Sequence, residues 1–367
     1  MISSLTLENF RKFTQESFVF SEGITVIEGN NGVGKTNILE AIYALATGKP
    51  FRSHKKEVFV QHDAPYARVS GICTSPPDKG GLGGGGEKDA INRVSTIFWQ
   101  ISPTAKTAYF WDDIALSAGE YLKKKTFFAV LFSPEEMNLP LFAPKYRRNF
   151  LNRLLSLLFP EYFEAASKYE ITLQNRNQLL KRAQESFVSP QEFFFWDQEL
   201  IKWEAVIRKK REDFFVFVNV HISSAYQRMS GAFDDIAIHF QPSVDSHIPF
   251  TEALLSHFAR DKMMGSTGVG PHRDDFQILL RGLPLEEDAS RGETRSALLA
   301  LKEIERIFIA EHTGTPPILL LDDVFSELDQ NHREHLLKSL EGTQTILSTT
   351  ECAFPPELKN KCRILQL

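Results

Sequence analysis

An α/β fold whose chain is interrupted by an inserted, mostly helical second lobe is predicted from three observations. A glycine-rich octapeptide at 29–36 lies between a strand pattern and a helix pattern. A second apolar run, 318–321, ends in two adjacent aspartates far along the chain. Between them, from about Ser133 to Met229, alternation gives way to long helical periodicity. The expected division is 1–110 with 240–367 for the first lobe and 111–239 for the helical lobe.

Residues 3–7 alternate apolar and polar, 16–20 can pair with them, and 23–28 form a short β-branched run. A helix is expected from about Lys35, since Ile38, Leu39, Ile42, Leu45 and Ala46 share one face. More strands are expected between Ala67 and Tyr109, around a segment, 75–86, too rich in glycine for anything but a loop. In the helical region one stripe runs through Trp196, Leu200, Trp203, Ile207, Phe214 and Val218. An earlier stripe holds Phe163, Ala166, Tyr169, Leu173 and Leu180, and the two helices can pack antiparallel. Their aromatics read as core rather than as base-stacking residues. After Gln241 strand-like pieces return, followed by a helix over about 295–310 and the apolar strand at 318–321.

The bulk properties narrow the class. The chain has 367 residues, 42% hydrophobic and 24% charged, with no apolar run long enough to cross a bilayer. Its start lacks the basic-then-apolar layout of a signal peptide, and Cys73, Cys352 and Cys362 form neither a disulfide framework nor a metal-ligand spacing. A cytoplasmic protein without a membrane partner is expected. A formal net charge of -5 requires that any nucleic-acid contact come from local basic patches.

Gly29, Asn30, Asn31, Gly32, Val33, Gly34, Lys35 and Thr36 fit G-x-x-x-x-G-K-[ST], with the strand before and the helix after that the motif requires. Glycines let successive N–H groups point at phosphates, and the helix start adds its own. Lys35 is expected on the β- and γ-phosphates of ATP and the Thr36 hydroxyl on Mg²⁺. The strand at 318–321 ends in Asp322 and Asp323. Two acids closing a buried strand are costly unless solvated or bound. Asp322 is expected to hold Mg²⁺, and Asp323 to orient or deprotonate the attacking water.

Ser290, Arg291, Gly292 and Glu293 precede an amphipathic helix containing Ala297, Leu298, Leu301, Ile304 and Phe308. By itself the tetrapeptide is a capping box; a serine and a glycine at a helix start also suit an anion.

The order of phosphate loop, S-x-G-E before a helix, acidic strand and then Ser326, Glu327, Leu328 and Asp329 resembles that of ABC-type ATPase heads, built of mixed sheets with flanking helices. More narrowly it resembles the RecF family, within the group that includes the SMC proteins. Carrying that resemblance are Leu7 to Arg11, Gly32 to Ile42, Phe132 to Glu135, Arg147 to Leu151, Gly270 to Asp275, and Leu319 to Asp329. The resemblance implies a homodimer around two ATP molecules, in which the 290–293 segment of one copy caps the γ-phosphate held by the other. It further implies closure on DNA at single-strand gaps, slow DNA-stimulated hydrolysis, RecR- and RecO-like mediators, and a RecA-like recombinase reached indirectly. A role in DNA replication, damage repair and the SOS response goes with it. Two positions depart from the family pattern: Glu293 stands where glutamine is common, and Asn152 where aspartate is expected. The competing readings are the ATPase subunit of a membrane transporter and a structural head that does not hydrolyse ATP.

Four basic clusters are candidates for DNA phosphates: Arg52, His54, Lys55 and Lys56; Lys123, Lys124 and Lys125; Lys145, Arg147 and Arg148; and Arg208, Lys209, Lys210 and Arg211. The DNA face is expected near the first and third.

Overall fold

The structure is a computed structural model that describes residues 1–52, 58–75, 91–100, 106–125, 127–133, 143–349 and 362–367. The glycine-rich segment 76–86, His54, Lys55, Lys56, Pro134 and Glu135 lie outside the described residues. The chain forms two compact units, 1–138 with 305–367, and 139–304.

In the first unit, strands β1 (Ile2–Phe10), β2 (Phe13–Val19), β4 (Tyr66–Ser75), β5 (Ile91–Gln100), β6 (Lys106–Trp111) and β7 (Ile114–Leu116) form an antiparallel sheet in the order β2-β1-β4-β5-β6-β7. Strands β3 (Ile24–Glu28), β8 (Ala129–Phe132), β12 (Ile318–Asp322), β13 (Thr345–Thr349) and β14 (Cys362–Gln366) form a parallel sheet in the order β14-β3-β13-β12-β8. β8, at one edge of this sheet, and β12 beside it are buried at every position, as parallel strands covered on both faces are.

Helix α1 (Lys35–Thr47) is buried along almost its whole length, in one core with residues of both sheets, among them Leu5, Val69, Trp99, Leu131 and Ile346; a short helix, α2 (Ala118–Lys124), follows β7. A Cβ at Gly71 would stand 2.7 Å from Leu45 Cδ1, so a bare backbone lets the antiparallel sheet approach the helix. Gln344 stitches the sheets together: its side chain accepts from Ile2 N at 2.8 Å and donates to the carbonyls of Ile2 and Ser21 at 2.7 and 2.8 Å.

The second unit holds α3 (Pro144–Leu158), α4 (Pro160–Glu185), α5 (Pro190–Ser230), α6 (Phe250–Met264) and a three-stranded antiparallel sheet, β11-β10-β9, made of β9 (Ile236–Gln241), β10 (Asp275–Leu280) and β11 (Leu283–Pro284). A short helix α7 (Leu285–Asp288) leads into α8 (Arg291–Thr313), within which the division between the units falls. α4 and α5 are antiparallel, as their ion pairs show. Descending α4 from Arg182 to Arg176 to Glu161, the partners climb α5 from Glu192 to Asp197 to Lys210.

Several expectations differ from this. The units divide at 138/139 and 304/305 rather than at 110/111 and 239/240. β8 is bonded to β12 and so belongs to the parallel sheet. β9 and β10 belong with the helices: Phe240 stacks on Phe215 of α5 at 4.6 Å, and Asn219 of α5 bonds both N–H and C=O of Ile238. The segment 250–264, expected among strand-like pieces, is helical, ended by Gly265 in the left-handed conformation. In α4 the buried face runs through Tyr162, Ala165, Tyr169, Thr172, Arg176 and Leu180. Phe163, Ala166 and Leu173 are only half-buried, because buried ion pairs rather than apolar side chains occupy part of the inner face.

Candidate functional site

Because the sheet is parallel, the loops that follow β3, β12 and β13 leave from the same edge. That is how Thr36, Asp322 and Ser348 meet. Thr36 Oγ1 donates to Asp322 Oδ1 at 2.8 Å, and Ser348 Oγ donates to the same oxygen at 2.8 Å. Asp322 is buried; its other oxygen faces the Arg52 guanidinium, with Oδ2 and a guanidinium nitrogen 3.9 Å apart.

The glycine-rich loop needs glycine where it has it. Gly32 and Gly34 adopt φ of 81° and 123°, and a Cβ at Gly34 would also lie 2.7 Å from the Phe13 ring. Lys35 is buried and folds back over the loop, its ammonium donating to the carbonyls of Gly29 at 2.7 Å and Asn30 at 3.0 Å. α1 begins at Lys35 with neither a capping side chain nor an acid in its first turn. Its leading N–H groups are thus left for an anion from outside the helix. Asn31 is exposed and Val33 packs beside Gly29.

Asp323 takes the left-handed conformation, φ 49°, at the start of the short helix α9 (Val324–Glu327). Its N–H donates to Ser348 Oγ at 3.1 Å, and its carbonyl accepts from Ser326 Oγ at 2.6 Å. A non-glycine residue held there by two hydrogen bonds is a strained position, of the kind found at functional sites.

Residues that sequence reasoning left out, or assigned elsewhere, surround the loop. Lys12 donates to the carbonyl of Gly32. Arg11 makes two parallel bonds of 2.8 Å to Glu40, an acid of α1 with no exposure, and stacks over Phe59. The Arg52 N–H donates to Glu40 at 3.4 Å. Arg52, expected on DNA, therefore lies beside Asp322. A charge in the middle of the otherwise apolar helix α1 was the only sign that Glu40 needed a partner.

In the second unit, Ser290 to Glu293 form the start of α8. Ser290 Oγ accepts from Glu293 N at 3.3 Å, and Glu293 accepts from Ser290 N at 2.7 Å, a reciprocal capping box. Glu293 also accepts from Arg281 at 2.7 Å. The Arg281 guanidinium first, then the Ser290 N–H and hydroxyl, hold its carboxyl down to about 2. Arg291 is exposed, and a Cβ at Gly292 would meet nothing nearer than Ser290 Oγ at 4.0 Å.

The 270–275 motif is a buried polar hub of the same unit. Asp274 accepts from Arg211 at 2.6 Å and Ser243 N at 2.8 Å; Asp275 takes two 2.6 Å bonds from Arg147. Arg211 also donates to Asn152 at 2.9 Å, as does the Tyr162 hydroxyl at 2.7 Å. Both bonds go to Asn152 Oδ1, an acceptor that an aspartate would supply as well, and they do not explain the amide. His272 sits between the Tyr169 hydroxyl at 2.9 Å and the Thr267 carbonyl at 3.0 Å, and burial lowers its pKa to about 4. Gly270, φ 122°, could carry no Cβ without meeting the Tyr169 hydroxyl at 2.2 Å.

These contacts correct the basic clusters. Arg147 and Arg211 are buried in ion pairs, and Arg148 donates to the Asp274 carbonyl. Arg208 pairs with Glu204, Lys209 with Asp213, and Lys210 with Glu161. Lys125 is buried over the Phe128 ring, which drives its pKa far down. Helix periodicity turns adjacent cations onto different faces, so a run in sequence is not a patch in space. Lys145 remains exposed.

No described helix is long and apolar enough to cross a membrane. The sequence matches the RecF/RecN/SMC N terminal domain family over residues 1–354. It is 31% identical to the DNA replication and repair protein RecF of Agathobacter rectalis over 355 residues, covering 95% of this chain and 92% of that one. It is likewise 31% identical to the protein of that name from Caldanaerobacter subterraneus, covering 95% and 94%. Among solved structures it resembles the recombination mediator protein RecF-ATP of the RecFOR pathway, with a TM-score of 0.85 and 30% identity over 96% of this chain and 93% of that one. The Smc head domain of Pyrococcus furiosus shares the fold, with a TM-score of 0.51 and 16% identity over 95% and 89%.

Proposed function

The chain belongs to the RecF family, related to SMC-type ATPase heads, and from that premise we propose that it is an ATP-dependent DNA-binding protein of recombinational repair. The observation that carries the ATP reading is the Thr36–Asp322 contact beneath a phosphate loop whose lysine is already folded over it. A hydroxyl and a carboxylate at one point beside the phosphate loop suit Mg²⁺, which takes one or two protein ligands and completes its shell with phosphate and water. Thr36 and Asp322 would hold that ion, and it would offset the charge of the bound phosphates.

The chain's own residues then divide the work. Loop N–H groups and the start of α1 hold the phosphates, and Lys35 exchanges its two carbonyl partners for phosphate oxygens. Asp323, held in position through Ser348, orients or deprotonates the attacking water. Hydrolysis is slow and serves as a switch. Ser290 to Glu293 act on the γ-phosphate bound by a second copy, so ATP closes a homodimer and hydrolysis reopens it. The open space over Gly292 supports this, since nothing among the described residues requires glycine there and its helix propensity is poor.

Closed dimers hold DNA at single-strand gaps, where RecR- and RecO-like mediators and, through them, a RecA-like recombinase act. Contacts are to phosphates, salt-dependent and without base preference, with Lys145 as one contributor. The test is retention on gapped duplex at two salt concentrations, with ATP and without. The reading predicts ATP-dependent retention in the parent chain and none in Lys35→Ala. Equal retention in both, or retention indifferent to ATP, contradicts it.

A further inference from the structure

Glu293 is an acid in the segment that the proposed function sets against a phosphate. Three more lie on the approach to it, Glu286, Glu287 and Asp288, and Asp234 stands nearby. An uncompensated cluster of that kind repels a polyphosphate. The hairpin between β10 and β11 supplies the compensation. Leu280 pairs with Leu283, so the turn has two residues, Arg281 and Gly282, with φ of 54° and 78°. That is the conformation whose twist suits a tight hairpin. Arg281 N is tied to the Asp235 carbonyl at 2.6 Å. From this anchored backbone the guanidinium reaches Glu293 at 2.7 Å, Asp234 at 3.4 Å and Asp288 at 3.9 Å. Glu286 is taken up separately by Arg147, at 3.4 Å.

We propose that Arg281 is a positioning residue for the phosphate cap: it neutralises Glu293 and fixes its carboxylate so that Ser290 presents its hydroxyl proton to the γ-phosphate of the partner copy. One oxygen of Glu293 is bound by Arg281 and the other by Ser290 N. Ser290 Oγ accepts from Glu293 N, and its hydroxyl faces the Glu293 carboxylate, so with Arg281 offsetting that carboxylate the proton can be exchanged to a phosphate oxygen of the partner copy. The pair thus does with a carboxylate and a guanidinium what a neutral amide at position 293 does alone. Glutamine caps a helix in the same geometry but carries no charge to offset.

Resting on the reading of this segment as the cap of a shared ATP site, the inference is tested by a double-mutant cycle. ATP-induced dimerisation is measured by light scattering for the parent chain, Arg281→Ala, Glu293→Gln and the double variant, at low and high salt. Nucleotide affinity of the monomer and the melting temperature are recorded for each. Expected are a dimer about tenfold weaker in Arg281→Ala at low salt, a smaller defect at high salt, and recovery to within about threefold in the double variant. Monomer affinity for ATP stays unchanged, because the phosphate loop is elsewhere in the chain. Should Arg281→Ala fold poorly, Arg281→Gln keeps a hydrogen-bonding side chain in the turn and carries the same expectation. An unimpaired Arg281→Ala, or a double variant as weak as the single, overturns the inference while leaving the shared site standing. A parent chain that never dimerises with ATP overturns the shared-site reading, and the role of Arg281 with it.

Discussion

Thr36 Oγ1 and Asp322 Oδ1 are 2.8 Å apart although 286 positions separate them in sequence. Their meeting joins the two halves of the first unit at the edge where the loops of a parallel sheet emerge. Ser348 adds a second hydroxyl to the same oxygen. Both donors are neutral, and together they fix the position of the carboxylate at the sheet edge.

Removing either member separates nucleotide binding from folding. Thr36→Ala or Asp322→Asn is expected to weaken Mg²⁺-dependent ATP binding about tenfold to a hundredfold, the loss of one charge-assisted contact. Titration with a fluorescent ATP analogue, with and without Mg²⁺, measures it. An equal loss in both conditions would place the effect on the loop and not on the cation.

Asp323→Asn keeps the backbone bonds to Ser348 and Ser326. It is expected to bind ATP within about threefold of the parent while turnover falls about a hundredfold or more, the range for a lost general base. Single-turnover hydrolysis checks it, and unchanged turnover would remove Asp323 from the chemistry.

The Arg211–Asp274 pair is buried at both ends. Asp274→Ala leaves a guanidinium uncompensated and is expected to cost about 3–5 kcal/mol. Asp274→Asn retains an acceptor and should cost less. Urea unfolding with both variants decides the order; equal small losses would mean that the hub is not stabilising.

His272 ties stability to pH. Its folded pKa, about 4, lies below the ordinary histidine value of 6.5, so the unfolded chain binds more protons between them. Stability is therefore complete above about 6.5 and falls as pH drops toward 4, by ~3 kcal/mol if this group acts alone. If the Nε2–H donates to Thr267, protonation of Nδ1 also removes the acceptor for the Tyr169 hydroxyl. Melting curves between pH 7 and 4 should be flatter for His272→Gln than for the parent, and parallel curves would contradict the assignment.

The phosphate loop, the acidic strand end and the Ser290 capping box were legible because each is local. Strand, glycines and helix, or serine and glutamate three residues apart, carry their geometry in a few neighbours. The buried ion pairs were not. Arg176 and Arg211 occur in helical stretches rich in charge, and nothing in their neighbourhood tells that Asp261 and Asp274 wait on other elements. The same blindness made adjacent cations look like patches and moved the unit boundaries. Whether β8 belongs with the helical insertion is settled by its hydrogen bonds to β12, nearly two hundred residues later. Arg281 escaped notice because a single arginine before a glycine reads only as a turn.

Closure of two copies around a shared ATP site, as proposed, would be visible in light scattering with and without ATP and Mg²⁺, for the parent chain and for Asp323→Asn. Expected is an ATP-dependent dimer that Asp323→Asn holds longer. Monomers throughout, even with gapped DNA present, would contradict it.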